Sequence, residues 1–211
     1  MKEKKGRRWI DVKAHLQEYD VPQLLGVIRD LYYANAADRR YLHARFASAP
    51  SERETYRAMV REAVFPNPLT RRPIRLRDAN AAIAEYRRAT GDVGGTVDLM
   101  LEFVEAGTEQ AVDLGYGDDA YFAALERKLD EVVRLLDALS KEHRATAVAR
   151  LIRLGDHRDS IGWGYGDSLG EVSSKVQARE ASRAVPRPTA QSQPARSSTG
   201  TARHTRSRSC P

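Results

Sequence analysis

The feature that most constrains this chain is the spacing of its apolar residues. Through the first 154 positions they recur at three- and four-residue steps, and no alternation is sustained over five residues. A three-four spacing places side chains on one face of an α-helix, whereas a half-buried strand needs strict alternation, so the pattern predicts an all-α protein. The strongest stretch is Phe122, Leu125, Leu129, Val132, Leu136 and Leu139, the seam of packed helices, opened by Asp118 as a helix cap.

The same spacing predicts shorter helices on either side. Val12 and Leu16 mark a short one over 11–18, and Asp20 caps a stronger one over 20–35, with Val21-Pro22 in its first turn and Leu24, Leu25, Ile28, Leu31 and Tyr32 along one face. A helix over 38–47 makes an αα-hairpin with it. Ser51-Glu52-Arg53-Glu54 fits a capping box ahead of Tyr56, Met59, Val60, Ala63 and Val64. Three prolines in 65–73 demand a loop. Further helices are expected from Arg77 to a stop at Gly91, from Thr96 to Gly115, and over 141–154. The expectation is a compact bundle of about six to eight helices, and no fixed repeat suggests a solenoid.

A length of 211 residues suits one domain plus tails. The net charge of +6 must be located before it implies a partner. Residues 178–211 hold seven arginines against Glu180, and residues 1–8 hold five bases against Glu3, which leaves 23 bases and 27 acids in residues 9–177. The division expected is a basic N-terminal arm (1–8), a helical domain (9–177) and a disordered Ser/Arg/Pro-rich tail (178–211) whose composition cannot repay the entropy of ordering. The arms could touch phosphates non-specifically, but the helical domain has no surplus base and no basic helix to enter a groove. The one cysteine, Cys210, excludes a disulfide framework and fits a cytoplasmic setting. No apolar run reaches the ~18 residues of a membrane span, and no signal-peptide pattern opens the chain.

Chemistry-bearing residues concentrate in 156–171. Asp156, His157, Asp159, Trp163, Tyr165 and Asp167 form the candidate binding set, with glycines at 162, 164, 166 and 170. Two aromatic rings beside carboxylates could hold a small ligand or a partner's peptide. Equally, the glycines allow positive φ in a tight turn that packs Trp163 and Tyr165 back onto the helices. His157 lacks a second ligand at helical spacing, and His15, His43 and His143 stand singly, so no metal or cofactor is called for. Walker, nucleophile-elbow, H-E-x-x-H and kinase signatures are absent, and no catalytic residue is assigned.

Three segments carry a resemblance to a known family: 12–16 with 24–32, 98–107 (Asp-Leu-Met-Leu-Glu-Phe-Val-Glu-Ala-Gly), and 159–167 (Asp-Ser-Ile-Gly-Trp-Gly-Tyr-Gly-Asp). Over 10–172 the chain resembles the bacterial domain-of-unknown-function family 6155. The resemblance implies a mostly helical domain and no stated activity. In that family an aromatic follows the second glycine and a histidine often follows the aromatic; Tyr165 keeps the first and Gly166 departs from the second. The functional expectation is a cytoplasmic protein-interaction module that binds a protein partner through the edge made by the final turn. Its rivals are a ligand-binding protein or enzyme using 156–167, and weak nucleic-acid association through the basic termini.

Overall fold

The computed structural model describes residues 8–46, 50–162 and 164–184. They form α1 (Trp9–Leu16), α2 (Val21–Ala34), α3 (Ala36–Phe46), α4 (Pro50–Val64), α5 (Leu76–Thr90), α6 (Val93–Leu114), α7 (Asp119–Leu135), α8 (Lys141–Gly155) and α9 (Tyr165–Ala184), with no strand among the described residues. The all-α expectation holds. None of these helices is long and apolar enough to cross a membrane.

Helix starts follow local chemistry. Asp20, Asp92, Asp118 and Ser140 each accept a backbone N–H from three residues on, at 2.8, 3.0, 2.7 and 3.3 Å, satisfying a donor the helix cannot. Asp92 moves one expected boundary: it captures the Gly95 amide, so α6 begins at Val93 rather than Thr96. Helix α4 likewise begins at Pro50, and Ser51 lies within its first turn instead of at the cap. Gly91 and Gly115, at φ 66° and 62°, end α5 and α6 in the left-handed conformation that glycine adopts without strain.

Helix α6 is the axis. Val97, Leu99, Met100, Leu101, Phe103, Val104 and Ala106 along it are all buried. Helices α4, α5, α7 and α8 pack around it, and α9 lies across α8 and α7. The α7 seam points inward as expected, with Leu125, Leu129 and Val132 buried; Leu125 sits so close to Gly107 that a Cβ there would overlap its methyl groups. Helix α7 stops at Leu135 and tightens into a 3₁₀ turn over Leu136–Ala138, short of the expected Leu139.

The larger correction concerns the region after α8. Residues 156–162 are the turn, and α9 is a ninth α-helix among the described residues, beyond the six to eight expected. Tyr165, Leu169, Val172 and Val176 stand at steps of four, three and four, a core-facing seam hidden among glycines. Gly155 lets α9 cross α8 closely, since a Cβ there would strike the Ser173 side chain. The helix then continues past position 177 because charge holds it: Glu180 accepts from the Arg144 Nε at 2.9 Å, and the Asp137 carboxylate meets Arg144, Arg179 and Arg183. Residues 178–184 therefore belong to the bundle, while 1–7 and 185–211 lie outside the described residues.

Candidate interaction surface

The turn does not gather its candidate residues into one pocket. Asp156, the residue after α8, is exposed, as are Asp159 and Asp167. Asp159 meets its neighbour Arg158 at 3.4 Å in open solvent, a pairing of little energetic weight. His157 is half-buried and lines a 200 Å³ cleft with Glu105, Glu109, Arg150, Arg153 and Leu154. Trp163 lies outside the described residues. Tyr165 belongs to the core: it is 2% exposed, stacks on Phe122 with ring centres 5.2 Å apart, and its hydroxyl lies 2.8 Å from Thr108 Oγ1. Burial holds its phenol well above the ordinary range, in the neutral form. Gly166 has a steric reason: a Cβ would overlap the carbonyl oxygens of Arg158 and Ile161.

A second constellation escaped the sequence reading. Asp98, Glu102, Glu105 and Glu109 form a carboxylate stripe along α6 at steps of four, three and four. Arginines flank it on both sides. From α4, Arg53 lies 3.5 Å from Asp98, Arg61 donates to Glu102 at 3.0 Å and to Glu109, and Arg57 Nε stands 3.9 Å from Glu102. From α8, Arg150 grips Glu105 with two parallel hydrogen bonds of 2.8 and 2.6 Å and reaches Asp98 at 3.4 Å. Desolvation opposes the Arg150 charge, but the hydrogen bond and the surrounding carboxylates outweigh it and raise its pKa. Paired in this way, the stripe fixes the register of α4 and α8 on α6. The signal was available, because carboxylates at helical spacing inside an apolar helix need partners. No cluster of three or more metal-ligating side chains occurs among the described residues.

The third region is the layer α1–α3. Helices α1 and α2 contain no buried residue, and α3 contains only Ala44. Helix α2 rests chiefly on α3, and α3 rests on α5 and α4. The join is largely polar: Arg40 lies 3.5 Å from Glu85, Arg45 donates to the Ala89 carbonyl at 3.2 Å, and Arg88 sits 5.2 Å over the Tyr41 ring. The Tyr32 hydroxyl is 3.0 Å from His43 Nε2, and His43 Nδ1 is 3.6 Å from Glu52, which ties α2, α3 and α4 together. Many of the layer's apolar side chains face solvent. Trp9, Ile10, Val12, Tyr19, Val21, Leu25, Ile28, Leu31, Tyr33 and Phe46 make up ten of the fourteen exposed large hydrophobics among the described residues. Two grooves run beside α2, one of 500 Å³ toward Leu42 and Phe46 and one of 940 Å³ toward Trp9, Tyr41 and Arg88.

No family model, curated protein or solved structure matches this chain.

Proposed function

We propose that this chain is a protein-interaction module whose docking surface is the apolar face of α1–α3. One observation carries the reading: ten of the fourteen exposed large hydrophobics among the described residues fall in residues 9–46, and five of them, Trp9, Leu25, Ile28, Leu31 and Phe46, line two open grooves. Contiguous exposed apolar surface of this kind marks interaction sites on folded proteins. The first three helices are favoured over the final turn as the docking edge, because Tyr165 of that turn is buried in the core. A cytoplasmic setting suits the single cysteine, and kinship with family 6155 remains part of the proposal on the three segments that carry it.

The test is affinity capture from a native extract with the wild-type chain, a Leu25→Glu, Ile28→Glu chain, and a turn variant carrying Asp156→Asn, Asp159→Asn and Asp167→Asn. Capture should fail for the α2 variant and persist for the turn variant. The reverse result would return the docking edge to the final turn.

A further inference from the structure

Resting on that docking reading, we propose that the occupant of the α1–α3 face is the same face of a second copy, making the protein an isologous dimer. Helix α2 presents Val21, Leu25, Ile28 and Tyr32 at steps of four, three and four, the spacing with which one helix packs along another. Val21, Leu25 and Ile28 are 69%, 60% and 43% exposed, so this part of the seam is open, while Tyr32 at its end is half-buried against His43 of α3. In a two-fold pairing each copy's seam enters the other's 500 Å³ groove beside Leu42 and Phe46, and every contact is made twice.

Area and charge both favour self-association. At ~150–250 Å² per fully buried aromatic and somewhat less per aliphatic residue, the exposed parts of Trp9, Leu25, Ile28, Leu31 and Phe46 at the grooves, with Val21 beside them, offer roughly 600 Å². Once the surrounding polar rim is added, that is comparable with the ~800 Å² per partner of a standard stable interface. Residues 8–46 carry six bases and five acids, so two copies of this face meet without like-charge repulsion. A strongly acidic or basic partner would find no opposing field here. The groove and the seam share Leu25, Ile28 and Tyr32, so the surface that would enter and the surface that would receive lie side by side on each copy.

Sedimentation velocity of the full chain from about 1 to about 100 µM tests this, since that range brackets micromolar association. Wild type should sediment as two chains, and Leu25→Glu, Ile28→Glu as one throughout, at least a tenfold weakening, with helical circular dichroism unchanged. Leu69→Glu, at a site 91% exposed outside the layer, should behave as wild type. Should the double variant lose helicity, Val21→Gln with Leu25→Gln replaces it, with the same expected shift. A wild type that stays monomeric throughout, or a dimer indifferent to these variants, overturns the proposal. If the wild type is monomeric but the α2 variant still loses a foreign partner in the capture experiment, the docking reading stands and the second copy is excluded. If neither association nor capture responds, both readings fall.

Discussion

Helices α2 and α7 carry the same kind of sequence and meet opposite fates. Each opens on an aspartate cap and lays Leu, Ile or Val along one face at three- and four-residue steps. In α7, Leu125, Leu129 and Val132 are at most 1% exposed; in α2, Leu25, Ile28 and Leu31 are between 43% and 60% exposed. An amphipathic pattern states that a helix has a face to bury and leaves open what will cover it. Helix α7 finds α6 within the chain. Helix α2 rests on α3, whose footing on the bundle combines Ala44 and Tyr41 with arginine contacts at Glu85 and the Ala89 carbonyl, and its outer face is exposed.

The comparison breaks most sharply under truncation. Leu129→Ala should cost about 2–5 kcal/mol of unfolding free energy, because it leaves a cavity in a packed core. Leu25→Ala should stay within about 0.5 kcal/mol in the monomer, since that side chain loses little packing. Urea titration of both variants decides it, and equal losses would show that α2 is as deeply packed as α7.

Next comes the arginine and carboxylate ladder, which tests whether the bundle is held by charge as well as by apolar contact. Arg150→Met keeps the stem but leaves Glu105 and Asp98 without their α8 partner, and about 3 kcal/mol should be lost. A loss near zero in the same titration would reduce the ladder to decoration.

A further effect is with pH and rests on four buried tyrosines of the α4–α9 bundle. Burial, followed by the hydrogen bond to Asp92, pushes the Tyr86 phenol up to about 12; burial first and Glu85 next raise Tyr56, and burial raises Tyr121 and Tyr165. An unfolded tyrosine ionises near pH ~10. Above that pH the unfolded state releases protons that the folded state retains, so stability should fall as pH rises through ~10 to ~12 and be insensitive to these groups below. Denaturation midpoints across that range, read beside phenolate absorbance, check it; a flat profile would mean that these phenols are accessible.

The helices were legible in the chain because backbone hydrogen bonding is local: a cap, a periodic face and a stop lie within a few residues of one another. Helix α9 was missed because Gly162, Gly164, Gly166 and Gly170 read as a turn, although Tyr165, Leu169, Val172 and Val176 carried the seam. Of those glycines, Gly164 adopts a left-handed backbone at φ 95° and Gly166 serves close approach to the turn carbonyls, and close approach is a property of two segments. The six candidate binding residues were chosen by density of reactive groups, which does not report which way a side chain turns. Tyr165 turned inward to Thr108, 57 positions earlier.

By itself, then, the sequence determined the all-helical class, most of the helix boundaries and the existence of apolar faces, all consequences of contacts within a turn or two of helix. The tertiary structure alone decided which faces are covered. It paired Arg150 with Glu105 across 45 positions and Arg144 with Glu180 across 36, and it left the face of α2 open. Burial and charge pairing depend on how distant segments are packed together, and no local spacing encodes that choice.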